Sequence, residues 1–364
     1  MKHGHARSCI PLILETNGFD RRAEALVHAA VLASDDILEP ALCERLQRAA
    51  LQFPADQGDL SHAPHLSSPL PDSVEELCAQ LAPTIIDQPQ EIATQLCSLQ
   101  QLCSLWPHAN REERTQLRLN WLGTSCIRQA PTDSYLTRAT LRKWQRDLPT
   151  VGENGQACAA VLCDMLQSTS AKDAYNCLSL YLGSQADLPT LAWTLGVLSE
   201  QILLHHFDPR GHSIRALVGT IACEQLVSHT RPEVLVTLIS QLAHYIWWTA
   251  QMNRQRSLAP SRHRSDICFL QAVSEGDIYA AQKAARLSLA DRPRFWSEVS
   301  HGLHLVLDAG HHSWTYAMAA VVAVRYRGGE RGVLSPDDAA TIGAALASAK
   351  YRADHHSSRL VAIT

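Results

Sequence analysis

Apolar residues recur at three- and four-residue spacing along almost the whole chain, and this periodicity makes the α-helix the only regular element the sequence can build at length. Over 187–206, Leu191, Leu195, Leu198 and Ile202 fall on one face of an amphipathic helix, and that face must be buried. Over 232–251 the pattern returns as Leu235, Leu238, Leu242 and Tyr245, with Pro232 suited to the first turn. The same reading predicts helices over 23–33, 40–51, 72–81, 91–106, 111–123, 137–147, 156–167, 171–183, 212–228, 277–289, 293–309, 313–326 and 336–352. Strand-like alternation of useful length is absent. The fold class expected is all-α, an irregular multi-helix bundle or a helical array.

Two stretches read as connectors. Residues 53–72 carry Pro54, Pro64, Pro69 and Pro71 among Ser, His and Asp, a composition that resists helix. Residues 148–155, around Pro149, Gly152 and Gly155, divide the chain into an N-terminal helical lobe, 1–150, and a C-terminal one, 151–364, that carries the candidate site. Over 325–332 the run Arg-Tyr-Arg-Gly-Gly-Glu-Arg-Gly reads as a glycine-rich turn between helices.

Composition narrows the function classes. The 364 residues are 46% hydrophobic and 19% charged with a formal net charge of -4, a globular balance without the clustered positive charge that nucleic acid or an anionic membrane selects. The longest apolar run, 317–324, falls well short of the roughly 18 residues a membrane span requires. No secretory leader is expected, because the apolar stretch Cys9 to Leu14 is short and broken by Pro11. Eleven scattered cysteines without a C-x-x-C read as free, buried thiols in a reducing cytoplasm.

Histidine carries the main chemical signal. Ten of the 18 (His205, His206, His212, His229, His244, His263, His301, His304, His311 and His312) lie between 205 and 312. His301, His304 and Asp308 share one helix face, where they could ligate a transition metal such as iron or move a proton, with Asp308 orienting His304. A solvated polar stripe is the plainer alternative. In the run 207–215, Asp208 or Gly211 can cap a helix on which His212 and Arg215 stand one turn apart. Arg215 would hold an anionic or enolate oxygen while His212 acts as acid or base. A surface pair beside a helix start is the competing reading. Tyr245, Trp247 and Trp248 near His244, and Trp314 and Tyr316 near His312, would suit a flat aromatic ligand if they are more than core. Arg254 and Arg256, with Arg262 and Arg264, could take a phosphate-bearing cofactor; Arg138, Arg142 and Arg146 form a second basic group. The chain has no G-x-G-x-x-G after a strand, hence no Rossmann-type flavin or nicotinamide domain, and neither G-x-S-x-G nor H-E-x-x-H.

The stretch 208–249 resembles the questin oxidase family in two features: His212-Ser213-Ile214-Arg215 opening a helix, and the aromatic-rich Leu242-Ala243-His244-Tyr245-Ile246-Trp247-Trp248 about thirty residues on. The run 300–323, starting Ser300-His301-Gly302-Leu303-His304, looks like that family's second histidine-bearing helix pair. Gly211 departs from the pattern, standing where a bulky aromatic is expected. The resemblance implies oxygen insertion beside a carbonyl of a polycyclic quinone, with NADPH as reductant and His212, Arg215, His301 and His304 near the substrate. The expectation is therefore a cytoplasmic oxygenase-type oxidoreductase of secondary metabolism. It would act on a small aromatic or quinone-like metabolite, at a site between helices that joins His212 and Arg215 to His301, His304 and Asp308. The competing class is a non-catalytic helical-array protein that binds a protein partner.

Overall fold

The computed structural model describes residues 3–15, 19, 21–34, 38–53, 68–85, 91–126, 164–168, 170, 172–174, 176–178, 188–206, 208, 211–253, 267–310, 312–331 and 334–361. The chain is all-α: no strand occurs among the described residues. The helices are α1 (His3–Leu14), α2 (Arg21–Ser34), α3 (Pro40–Leu51), α4 (Val74–Ile85), α5 (Ile92–Leu105), α6 (Arg111–Cys126), α7 (Leu188–His205), α8 (His212–Leu226), α9 (Pro232–Asn253), α10 (Phe269–Ser274), α11 (Ile278–Ser288), α12 (Arg292–Asp308), α13 (Trp314–Arg331) and α14 (Pro336–Val361). The predicted helices 137–147 and most of 156–167, like the connector 148–155, lie outside the described residues.

Helix starts follow local chemistry. The Asp277 and Asp291 carboxylates accept from the backbone N–H groups of Ala280 and Arg294 at 2.9 and 3.2 Å, satisfying donors that the first turn leaves open. Asn110 and Glu113 form a reciprocal box at the start of α6, and Ser335 and Asp338 do the same at α14.

Three elements differ from the sequence expectation. The helix α1 forms despite Pro11 because Ala6, Cys9, Ile10 and Ile13 are buried, which offsets the backbone bond the proline lacks. Instead of the expected glycine-rich turn, 325–331 is the last part of α13, where Arg327 is pinned in a buried ion cluster that overrides the poor helix propensity of Gly328 and Gly329. Past residue 352, α14 continues to Val361; the i,i+4 pairs Lys350–Asp354 and Tyr351–His355 support the extension.

The helix α8 is central, with α5, α7, α9 and α13 packed around it. Gly219 on α8 permits the closest approach: a Cβ there would lie 2.8 Å from the Cα of Ala93 on α5. The pairs α5–α8, α8–α13, α13–α2 and α2–α5 close a ring of four helices, and the cavities described below lie inside it. A second group, α10, α11 and α12, packs on α14. Helices from before and after 148–155 share one hydrophobic core, running from Ala6 to Ala349.

One ion cluster is fully inside. Arg327 on α13 is 4% exposed; its Nη1 donates to Glu200 of α7 at 3.3 Å, its Nη2 donates to the Trp193 carbonyl at 2.8 Å, and Glu224 of α8 lies 3.7 Å away. Burial raises the Glu200 carboxyl above its usual value, opposed by the Thr341 hydroxyl, which donates at 2.7 Å, and by Arg327. Glu224 thus belongs to a structural cluster.

Candidate functional site

The site begins at the N-terminus of α8. Gly211 adopts φ +76°, a left-handed conformation that suits glycine, and any Cβ on it would run into the Arg352 guanidinium. This accounts for the glycine at the position where the resemblance calls for an aromatic. The Asp208 carboxylate reaches over the turn and accepts from the N–H groups of Gly211 and Ser213 at 3.0 and 2.6 Å, so the carboxylate caps α8 while Gly211 makes the bend.

The turn aims His212 and Arg215 at two tyrosines from different helices. His212 Nδ1 lies 3.0 Å from the Tyr245 hydroxyl of α9, and its ring meets Trp248 edge-on with centroids 4.9 Å apart. Burial pushes the Tyr245 phenol well up, against a smaller opposing effect of Arg215, so the phenol keeps its proton. Nδ1 accepts that O–H in the tautomer that carries its proton on Nε2, and donates to the phenol oxygen in the other. Arg215 donates through Nε at 3.1 Å, and also through Nη2, to the Tyr316 hydroxyl of α13. Burial works against the Arg215 charge, but Tyr316, Tyr245 and Glu91 outweigh it and hold the guanidinium above its ordinary value.

A second arginine packs against the same tyrosine. The Arg352 guanidinium carbon of α14 lies 4.9 Å from the Tyr316 ring centroid, and that of Arg215 lies 5.2 Å away. Nε of Arg352 donates to the Ser348 carbonyl at 3.3 Å, but its buried Nη1 and Nη2 have no hydrogen-bond partner among the described residues. Burial pulls the Arg352 value down, with the Asp208 charge opposing. Arg352 carried no signal at the level of sequence, because it lies 137 positions from Arg215 near the end of a helix of ordinary amphipathic pattern.

Arg215 and Tyr316 line a cavity of about 270 Å³ inside the four-helix ring. Its wall adds Arg21 and Glu24 of α2, with Glu91, Thr94 and Gln101 at and along α5. A phenol that accepts two guanidinium N–H groups is polarised, and its own O–H becomes a stronger donor toward an oxygen in the cavity. The arrangement can therefore bind a carbonyl or stabilise an enolate or phenolate oxygen.

The other predicted site residues lie elsewhere. His301 is exposed on α12, with Nδ1 2.7 Å from the Ser297 carbonyl of its own helix. His304 and Asp308 face α3, where Arg45 bonds to both: Nη1 is 3.1 Å from His304 Nδ1, and Nη2 forms an ion pair with Asp308. A guanidinium thus stands between the imidazole and the carboxylate expected to share a metal, so the set does not fit iron; among the described residues no group of three or more His, Cys, Asp or Glu could hold one. Of the expected constellation, Arg215 lines the cavity, His212 is held by Tyr245 and Trp248 and is not among the cavity's lining residues, and the α12 part lies at the surface. Arg254 and Arg256, together with Arg138, Arg142, Arg146, His263 and His311, lie outside the described residues. His244 and His229 stand apart from His212: burial lowers His244, and His229 pairs with Glu75 at 2.8 Å. The aromatics divide as well, since Tyr245, Trp248 and Tyr316 serve the site whereas Trp314 stacks on Phe53.

Cys9, Cys43, Cys78, Cys97, Cys103 and Cys223 are buried free thiols, with Cys78 and Cys103 Sγ atoms 3.4 Å apart. Among the described residues no helix is long and apolar enough to cross a membrane. Comparison with known protein families, with curated proteins and with solved structures returned no match.

Proposed function

We propose that this chain is an oxygenase-type oxidoreductase that takes a small aromatic or quinone-like metabolite in the cavity between α2, α5, α8 and α13. The observation that carries the reading is the Arg215–Tyr316 pair, a doubly hydrogen-bonded phenol facing an internal cavity. Such a donor suits a substrate whose carbonyl oxygen gains negative charge as the neighbouring carbon is attacked. The reaction class comes from the resemblance of 208–249 to the questin oxidase family. In it a ketone, dioxygen, NADPH and a proton give an ester or lactone, water and NADP⁺. The nicotinamide supplies the two reducing electrons.

The chain's own residues have separate tasks in this scheme. Tyr316, polarised by Arg215, binds the substrate oxygen. Arg352 adds positive charge beside the Tyr316 ring. His212, held through Nδ1 by Tyr245, offers Nε2 as the acid-base group near neutral pH. The setting is cytoplasmic secondary metabolism.

The test is a panel of hydroxylated anthraquinones and smaller phenolic ketones incubated with the purified protein, NADPH and isotope-labelled dioxygen. The expected result is substrate-dependent NADPH oxidation with one labelled oxygen in the organic product. Tyr316→Phe, which deletes only the hydroxyl, is expected to lower kcat/KM by about a hundredfold, the usual effect of losing one oxyanion donor. Binding that Tyr316→Phe weakens, without consumption of NADPH or dioxygen by any member of the panel, would retain the cavity as a ligand site and remove the oxygenase. No binding of any member would leave the helical array as a scaffold for a protein partner.

A further inference from the structure

Inside the same ring lies a second, larger cavity of about 860 Å³, which meets the first at a shared wall of Cys97, Gln101, Val218 and Ala319. That volume is in the range of sites that enclose a whole small molecule. About half of its lining residues are aliphatic, among them Val27 and Val31 on α2, Ile221 and Ala222 on α8, and Val322 and Ala323 on α13, while His108, Gln225, His229 and Arg325 belong to the polar remainder.

Two polar side chains in this wall are buried and unpartnered. His28 on α2 is 5% exposed, and its Nδ1 has no hydrogen-bond partner among the described residues. Gln101 on α5 is 2% exposed, and its Nε2 is likewise without a partner. A buried polar atom left unbonded is costly, and both side chains line the larger cavity, Gln101 bordering the smaller one as well. The charge pattern narrows the occupant further. No Asp or Glu is among the described residues that line the larger cavity, whereas Glu24 and Glu91 line the smaller one. Nothing there compensates a cation, and the guanidinium in its wall, Arg325, is already engaged within the protein.

We infer that the larger cavity is a second ligand site, distinct from the Arg215–Tyr316 pocket, which takes an uncharged, mainly apolar small molecule through hydrogen bonds from Gln101 and His28 to its oxygen atoms. The Gln101 amide donates to a carbonyl or ether oxygen. The His28 imidazole, kept neutral by its burial, accepts from or donates to a second oxygen according to its tautomer. The shared wall places this ligand beside the occupant of the smaller pocket. The site does not depend on the oxygenase reading, since the Arg215–Tyr316 pair takes no part in it, although Gln101 borders both cavities, and it is read by binding alone.

The experiment titrates the full-length protein with Prodan, a neutral naphthyl ketone whose emission shifts blue in an apolar site and whose carbonyl accepts hydrogen bonds. Saturable one-to-one binding with a blue shift is expected. Gln101→Leu and His28→Leu are each expected to weaken it by about tenfold, the effect of one buried hydrogen bond. Ala222→Phe, which fills the cavity from α8, should abolish binding while circular dichroism stays helical, and Tyr316→Phe should leave the affinity unchanged. The absence of saturable binding, as for a cavity that holds only water, would overturn the inference. So would binding that Gln101→Leu and Ala222→Phe leave unaltered, or binding that Tyr316→Phe weakens as much as they do.

Discussion

Arg327 and Arg352 are both nearly buried arginines, 4% and 9% exposed, but their surroundings are opposite. Arg327 is met by two carboxylates and a backbone carbonyl from α7 and α8, so its charge is compensated within the fold. Arg352 has a ring face, one carbonyl on Nε and the more remote charge of Asp208, and its two terminal nitrogens go unmatched. A buried guanidinium with its partners in place holds helices together. One without them leaves its charge incompletely matched, and it sits against the tyrosine that faces the cavity.

Removing the compensated arginine should have the largest effect. Arg327→Met leaves Glu200 and Glu224 buried without their cation and is expected to cost about 3–5 kcal/mol, measured by urea unfolding. A loss below about 1 kcal/mol would show that the cluster is not the tie its geometry describes.

A smaller effect is expected from His28, the other buried group left without a partner. Burial lowers its value from the ordinary 6.5 to about 4. The unfolded chain therefore takes up a proton at a higher pH than the folded one, and the stability associated with neutral His28 is complete above about pH 6.5 and falls as pH drops toward 4. The full loss is roughly 3 kcal/mol. The difference between wild-type and His28→Leu unfolding curves across this window isolates it, and parallel curves would contradict it.

The least effect on stability belongs to Arg352. Since Arg352→Met removes an incompletely matched charge and keeps most of the side-chain volume, the cost should stay within about 1 kcal/mol. Substrate affinity in the small pocket should still fall. A loss as large as that of Arg327→Met would erase the distinction between the two arginines.

Much of this architecture is legible in the residues themselves. The spacing of Leu191, Leu195 and Leu198 requires a buried helix face, and Pro40, Pro232 and Pro336 each stand at the observed start of a helix. The pair His212 and Arg215 is legible too, because a capping turn followed by i,i+3 polar residues is local information. The tyrosines that engage the pair are not, since Tyr245 lies 33 residues and Tyr316 101 residues from the groups they touch. His301, His304 and Asp308 show the opposite failure: helical spacing puts them on one face, but only packing decides that α3 covers that face and offers Arg45. One signal for the larger cavity was available, because His28 is a polar residue on a helix face that also carries Ala25, Ala29 and Leu32.

By itself the sequence determined that the chain is helical, where most helices begin, and which faces turn inward, since these follow from short-range sterics, capping and the burial of apolar area. Which polar groups share a cavity, and which of them go without partners, was decided only by the closing of α2, α5, α8 and α13 into a ring. Those contacts join residues far apart along the chain, and no local pattern encodes the distance between them.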